Sequence, residues 1–197
     1  VPEFETADLT ERERARIVKT AVSPRPIAWV GTTSPDGVDN LAPYSSYNYV
    51  SSAEPVVVFN SPNADHGGLK DSARNALDTE EFTVSVVTEP LLETMDATAE
   101  RLGPEESEFD AFDVERAPSK TVTPPRVADA LVSMECTLHD AVEVHDRLMV
   151  LGDVTRFHVA DDALVDGKID SQNVPTVGRL GGPFYTASTP LPFERQN

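Results

Sequence analysis

One cysteine, one tryptophan and four lysines are the scarcest features of this 197-residue chain. With Cys136 alone no intrachain disulfide can form, so the expected setting is a reducing, cytoplasmic one. Cys136 lies in Met134-Glu135-Cys136-Thr137-Leu138, a strand-like context that suits packing rather than nucleophilic chemistry. No apolar run is long enough to span a bilayer, and no leader pattern opens the chain. The histidines (His66, His139, His145, His158) lack the spacing of a zinc site, so no metal is expected. His158, which follows Gly152-Asp153 in a strand-like run, reads as a hydrogen-bonded strand histidine. There is no Gly-x-Ser-x-Gly, no Walker sequence and no Gly-x-Gly-x-x-Gly, which argues against a nucleophile-elbow hydrolase, a P-loop ATPase and a Rossmann protein. No pair of side chains stands out as an acid/base couple. If the chain is an enzyme, no catalytic side chain is expected and a bound cofactor carries the chemistry.

What is abundant is negative charge: 34 acidic residues against 16 basic ones, a formal net of −18. The acidic residues run along the whole length, so the charge belongs to the surface and not to a tail. A dispersed acidic, lysine-poor surface suits a halophilic cytoplasm, where salt screens self-repulsion; an ordinary acidic protein is the alternative. Such a surface repels nucleic acid and anionic membranes, so neither is an expected partner.

The stretch that organises the chain begins Ser23-Pro24-Arg25-Pro26-Ile27-Ala28-Trp29-Val30-Gly31-Thr32-Thr33. A Ser34-Pro35-Asp36-Gly37 turn follows, then Asn40-Leu41-Ala42-Pro43-Tyr44-Ser45-Ser46. Two β-type runs around a turn predict a hairpin. Alternation puts Ile27 and Trp29 on one face and Ala28 and Val30 on the other, so the first strand should be covered on both sides, as in a barrel wall with an outer layer. Pro43 is expected to remove a ladder bond, marking either an opening where a ligand meets backbone groups or the end of an edge strand.

Thr10 and Glu13 predict a capping box for a helix to about Val22, with Ala15, Ile17, Val18 and Ala21 on one side. Pro24-Arg25-Pro26 should hold Arg25 extended. A third strand is expected over 55–60, then a turn-rich loop over 61–68. A short helix over 69–77, capped near Asp71 or Ser72, comes next. Its start, with Lys70 beside Ser72, has the chemistry of an anion site. Further strands are expected over 81–88, 131–144 and 148–159, and a helix over 90–99 with Leu91, Leu92 and Met95 buried. Residues 103–126 read as an irregular excursion with a helical piece near 105–109, anchored by Phe109 and Phe112, within a single domain spanning 1–197. The glycines of Gly181-Gly182-Pro183-Phe184-Tyr185 suggest close approach to a ligand or a neighbouring chain.

Taken in order, these motifs resemble a known family. Ser23-Pro24-Arg25-Pro26-Ile27, Asn40-Leu41-Ala42-Pro43-Tyr44-Ser45, Lys70-Asp71-Ser72-Ala73-Arg74-Asn75, Glu81-Phe82-Thr83-Val84 and Gly152-Asp153-Val154 are similar to motifs of the flavin reductase-like proteins with an FMN-binding split β-barrel. Gly152-Asp153-Val154 stands where the two-component reductases have Gly-Asp-His, which places the likeness with the flavoredoxin and ferric reductase-like branch. The resemblance implies a mainly β, α+β fold, a closed Greek-key split β-barrel with peripheral helices. It implies FMN as cofactor, with NADH or NADPH as candidate electron donors, and a homodimer with the flavin near the interface. Asn40, Leu41, Ala42, Pro43, Tyr44 and Ser45 would line the flavin ring. Thr32, Ser45, Lys70 and Ser72 would hold ribityl or phosphate oxygens, with Arg25 and Arg74 as helpers; Asp71 belongs to the same binding set, and the segment ending in Tyr185 would approach the flavin of its own or the partner subunit. The implied activity is an FMN-dependent oxidoreductase passing electrons to flavin, ferric iron, oxygen or a protein partner. A flavin carrier, store or sensor without turnover is the alternative, and a barrel that binds no flavin is a third.

Overall fold

The chain's computed structural model describes residues 1–65, 68–103 and 105–193. His66 and Gly67 of the expected loop, Pro104 of the excursion and residues 194–197 of the tail lie outside them. In chain order the elements are α1 (Glu11–Ala21), β1 (Arg25–Pro26), β2 (Ala28–Thr33), β3 (Asp39–Tyr44), β4 (Tyr47–Ser51), β5 (Val56–Pro62), α2 (Asp71–Thr79) and β6 (Glu81–Val86). There follow α3 (Leu92–Ala97), α4 (Glu108–Ala111), β7 (Arg116–Ala117), β8 (Arg126–Val127), β9 (Val132–Val144) and β10 (Arg147–Val159). Short strands β11 (Leu164–Val165), β12 (Lys168–Ile169), β13 (Val177–Arg179) and β14 (Tyr185–Ala187) complete the order.

Seven strands form one antiparallel sheet in the order β3-β2-β6-β9-β10-β5-β4. The hairpin forms as its turn residues require: Ala28 pairs with Tyr44 and Thr33 with Asp39, and Gly37 takes the positive φ (87°) of the turn. Every residue of β2 is buried. Ala28 and Val30 pack with Phe59, Phe82, Val84 and Val150 on one face, where Ala73 and Ala76 of α2 also lie. Ile27 and Trp29 pack with Leu41, Met95, Phe109 and Val177 on the other. The two-sided cover expected of this strand is therefore present. Trp29 Nε1 donates to Thr98 Oγ1 at 2.9 Å, which satisfies its one buried polar atom.

Several expectations need correction. The closed barrel is not found: among the described residues no ladder joins β3 to β4, and both are edge strands. The chain passes from one edge of the sheet to the other through residues 45–46, and β4 is a strand that sequence reading missed. Nor does Pro43 remove a ladder bond. Leu41 N donates at 2.9 Å to Glu108 Oε2, away from β2, so alternate residues of β3 turn their N–H and C=O groups to the open edge. Pro43 falls in that set, where its missing N–H costs nothing. The N-cap position of α2 is Lys70, which makes no side-chain cap among the described residues, rather than Asp71 or Ser72. The helix over 90–99 opens as a 3-10 turn (Glu89–Leu91) before α3. The helical piece in the excursion is α4, later than 105–109, and the excursion ends in a β7–β8 pairing. Among the described residues no helix is long and apolar enough to cross a membrane.

Candidate functional site

A cleft of about 230 Å³ opens between the free edge of β3 and the start of α2. From the strand it takes Asn40, Ala42, Pro43 and Tyr44. From the helix start it takes Lys70, Asp71, Ser72 and Arg74. Eight expected site residues thus share one cavity. The sheet's open edge brings the backbone of Pro43 to the cleft, and α2 brings an N-terminus that no side chain among the described residues caps.

The side chains here are ordered by a short polar chain. Asn40 Nδ2 donates to Ser72 Oγ at 2.9 Å, which leaves the serine hydroxyl proton free to donate. Asn75 Nδ2 donates to Thr32 Oγ1 at 3.2 Å. Thr32 is fully buried, so it supports the site from beneath. Lys70 Nζ stands 5.8 Å from the centroid of the Tyr44 ring, and no carboxylate pairs with it among the described residues. Arg74, by contrast, is paired with Asp71 at 2.7 Å and also donates to Leu69 O.

Tyr44 is the residue whose polar atom is unspent. It is buried against Phe59, with ring centroids 4.8 Å apart. Burial pushes its hydroxyl pKa up to about 12, although Ser72 and Ser61 lie beside it. Among the described residues, neither its hydroxyl nor that of Ser61 has a hydrogen-bond partner of good geometry. A buried hydroxyl of this kind calls for an oxygen or nitrogen from a ligand or water.

Four expected residues lie elsewhere and one is covered. Leu41 is fully buried on the outer face, so only its backbone reaches the open edge. Arg25 and Ser45 line a separate cleft. The Arg25 guanidinium donates to the carbonyls of Ser45 (3.1 Å), Leu180 (3.2 Å), Val22 (3.4 Å) and Lys19, tying α1, β1 and residues 45–46 together. Tyr185 is hydrogen-bonded to Arg179 and Asp96 and packs on the outer layer. Sequence reading missed two parts of the wall. Residues 98–102 close one side, and Glu108 closes another. Burial raises the Glu108 pKa, and its bond from Leu41 N opposes that rise. Neither carries a local motif. Cys136 is buried in the core with its pKa pushed up by burial, and His158 is hydrogen-bonded to Glu135, both as their sequence settings indicate.

Comparison with known proteins adds a family and a frame. The model of the flavin reductase like domain matches residues 21–173. A protein of Aquifex aeolicus (strain VF5) is 39% identical over 171 residues, covering 86% of this chain and 87% of the relative. The nitrilotriacetate monooxygenase component B of Bacillus cereus has a similar structure, with TM-score 0.92 and 29% identity over 99% of this chain and 98% of that one. The 2-nitrobenzoate 2-nitroreductase NbaA of Pseudomonas fluorescens has TM-score 0.89 and 27% identity, covering 100% of this chain and 96% of that one.

Proposed function

The chain belongs to the flavin reductase like domain family, and from that premise we propose that it is a flavoprotein oxidoreductase holding FMN in the cleft between β3 and α2. One observation carries the reading: an open strand edge with apolar side chains and an uncapped helix start with Lys70 face each other across a single cavity. A flavin nucleotide is a flat, largely apolar ring with a phosphate tail, and it needs that combination. The unpartnered Tyr44 hydroxyl fits an incoming polar group at the same place.

When bound, FMN would supply the redox chemistry, taking electrons from a donor and passing them to an acceptor. The chain's own part is binding and orientation. Lys70 and the Ser72 hydroxyl would hold the phosphate, with Ser72 aimed by Asn40. The Leu41 and Pro43 carbonyls and the Ala42 and Tyr44 side chains would meet the ring. Arg74 would contribute less, because Asp71 already neutralises it. The reductase and monooxygenase-component names of the two similar structures support electron transfer as the role. The acceptor class is free flavin, ferric iron, oxygen or a protein partner.

At about 230 Å³ the cleft is smaller than the 300–1,000 Å³ of sites that enclose a ligand. A second copy of the chain would complete the cover. Apart from that cleft, α1 buries none of its residues, and Ile17, Val18 and Val22 at its end are 47%, 59% and 60% exposed, an apolar surface that a second copy would cover.

The test is to mix FMN-loaded protein with NADH or NADPH in the absence of oxygen. Prompt loss of the yellow colour is the expected result for a reductase. No bleaching with either donor makes the protein a flavin carrier or assigns the donor role to another protein. A preparation that stays colourless after FMN is added contradicts the reading altogether.

A further inference from the structure

The cleft between β3 and α2 has a neighbour. Asn40, Asp71, Arg74 and Glu108 form a wall that it shares with a larger groove of about 630 Å³. The two spaces differ in sign. The cleft mixes Lys70, Arg74 and Arg101 with Asp71, Glu100 and Glu108, three of each charge. The groove adds Asp36, Asp78, Glu105 and Glu106 to Asp71 and Glu108, and Arg74 is its one cation among the described residues. Arg74 is already held by Asp71 at 2.7 Å, so it lends the groove little net positive charge.

Three elements set this acidic lining. Asp36 stands in the β2–β3 turn, which Gly37 N closes by donating to Ser34 O at 2.9 Å and Val38 N by donating to Ser34 Oγ at 3.1 Å. Asp78 lies two helical turns beyond Asp71, on the same face of α2. Glu105 and Glu106 come from the excursion ahead of α4, where Glu106 accepts from Gly103 N at 2.8 Å. No basic side chain pairs with Asp36, Asp78, Glu105 or Glu106 among the described residues.

In a chain with 34 acidic residues an acidic groove alone decides nothing. Its position gives it a consequence. The buried, unpartnered Tyr44 hydroxyl marks the cleft as the ligand-bearing side of the shared wall. Lys70 and Ser72 line the cleft only, whereas Asp71, between them in sequence, faces both spaces. We propose that the groove selects the cofactor: it accepts a flavin that ends in one phosphate and turns away one that continues through a second, as FAD does. This inference rests on the flavin cleft proposed above and names which flavin that cleft takes. With its first phosphate at Lys70 and Ser72, FAD would carry its second phosphate and adenosine past Asp71 into the groove. At about 630 Å³ the groove is within the range of small-molecule sites, so adenosine is not excluded by size. Charge decides instead, because the second phosphate would meet carboxylates and no unpaired cation, a repulsive element of the kind that sets specificity.

The experiment is fluorescence titration of the full chain with riboflavin, FMN and FAD at low ionic strength, in the parent and in Asp36→Asn/Asp78→Asn. Both aspartates are exposed, so the fold should be unaffected. The parent should bind FAD roughly tenfold or more weakly than FMN, as like-charge contact requires. The double substitution should recover roughly tenfold in FAD affinity while riboflavin and FMN change by less than about twofold. Added KCl should also narrow the gap between FMN and FAD, since salt screens exposed carboxylates. FAD bound as tightly as FMN by the parent overturns the inference and leaves the flavin cleft standing. So does a gap that neither KCl nor the substitutions change, which would make shape the selector. A parent that binds none of the three flavins overturns the function proposed above, and this inference with it.

Discussion

Gly152 shows how tightly single residues are set in this sheet. It falls where the β9–β10 register shifts, and a Cβ added there would come within 2.2 Å of Phe82 Cζ and 3.1 Å of Cys136 Cβ. Phe82 is fully buried and has no room to yield. Gly152→Ala should therefore cost about 1–3 kcal/mol in urea unfolding, with flavin chemistry untouched if the protein still folds. The neighbouring Asp153 turns outward and meets His139 Nδ1 at 3.0 Å. Glu135 is the other residue with a sharp role. Its buried carboxylate accepts from Lys120 N (2.8 Å), Thr121 N, the Thr121 hydroxyl and His158, which pins the end of the excursion to β9. Burial alone would raise its pKa, but the bonds from Thr121, His158 and Lys120 outweigh that and bring it to about 2, from an ordinary 4.5. A depressed carboxylate pKa stabilises the fold above the unfolded value, and that contribution fades as pH falls from about 4.5 toward 2. Glu135→Gln should lower the urea midpoint at pH 7, and the gap to the parent should narrow as both are titrated below pH 4.

Elements explain what could be read from the chain and what could not. The α1 capping box, the β2–β3 hairpin and the long β9–β10 pair were legible because each is written in adjacent residues: Thr10 with Glu13, Gly37 in its turn, and two alternating runs around His145. The two halves of the cleft were legible as motifs, though their meeting is a property of the sheet. What stayed hidden depends on distant partners. β4 carries no turn signal before it, since residues 45–46 simply cross the split, and its register comes from β5. Pro43 looks disruptive until Glu108, from α4, is seen taking the outward N–H of Leu41. That contact couples the excursion to the cleft wall. Glu108→Ala leaves a buried N–H unsatisfied and should cost about 1–3 kcal/mol by urea unfolding, with weaker FMN binding alongside. Equal stability would show that the excursion is not anchored there.

For the whole molecule, charge is the governing quantity. A formal net charge of −18 opposes the compact state, and salt screens that repulsion. The urea midpoint should rise steadily as KCl is added, where a charge-balanced protein would change little. The proposed second copy is tested at α1: Val18→Glu, on a helix with no buried residue, should leave the fold intact and shift the chain to a smaller species in light scattering. An unchanged mass would remove α1 from any interface. The central claim concerns the cleft between the free edge of β3 and the start of α2, and its most direct test is FMN affinity. Flavin fluorescence titration of Lys70→Ala/Ser72→Ala against the parent should show binding weakened by about 2 kcal/mol or more, roughly thirtyfold. Identical affinity in the two proteins would contradict the account.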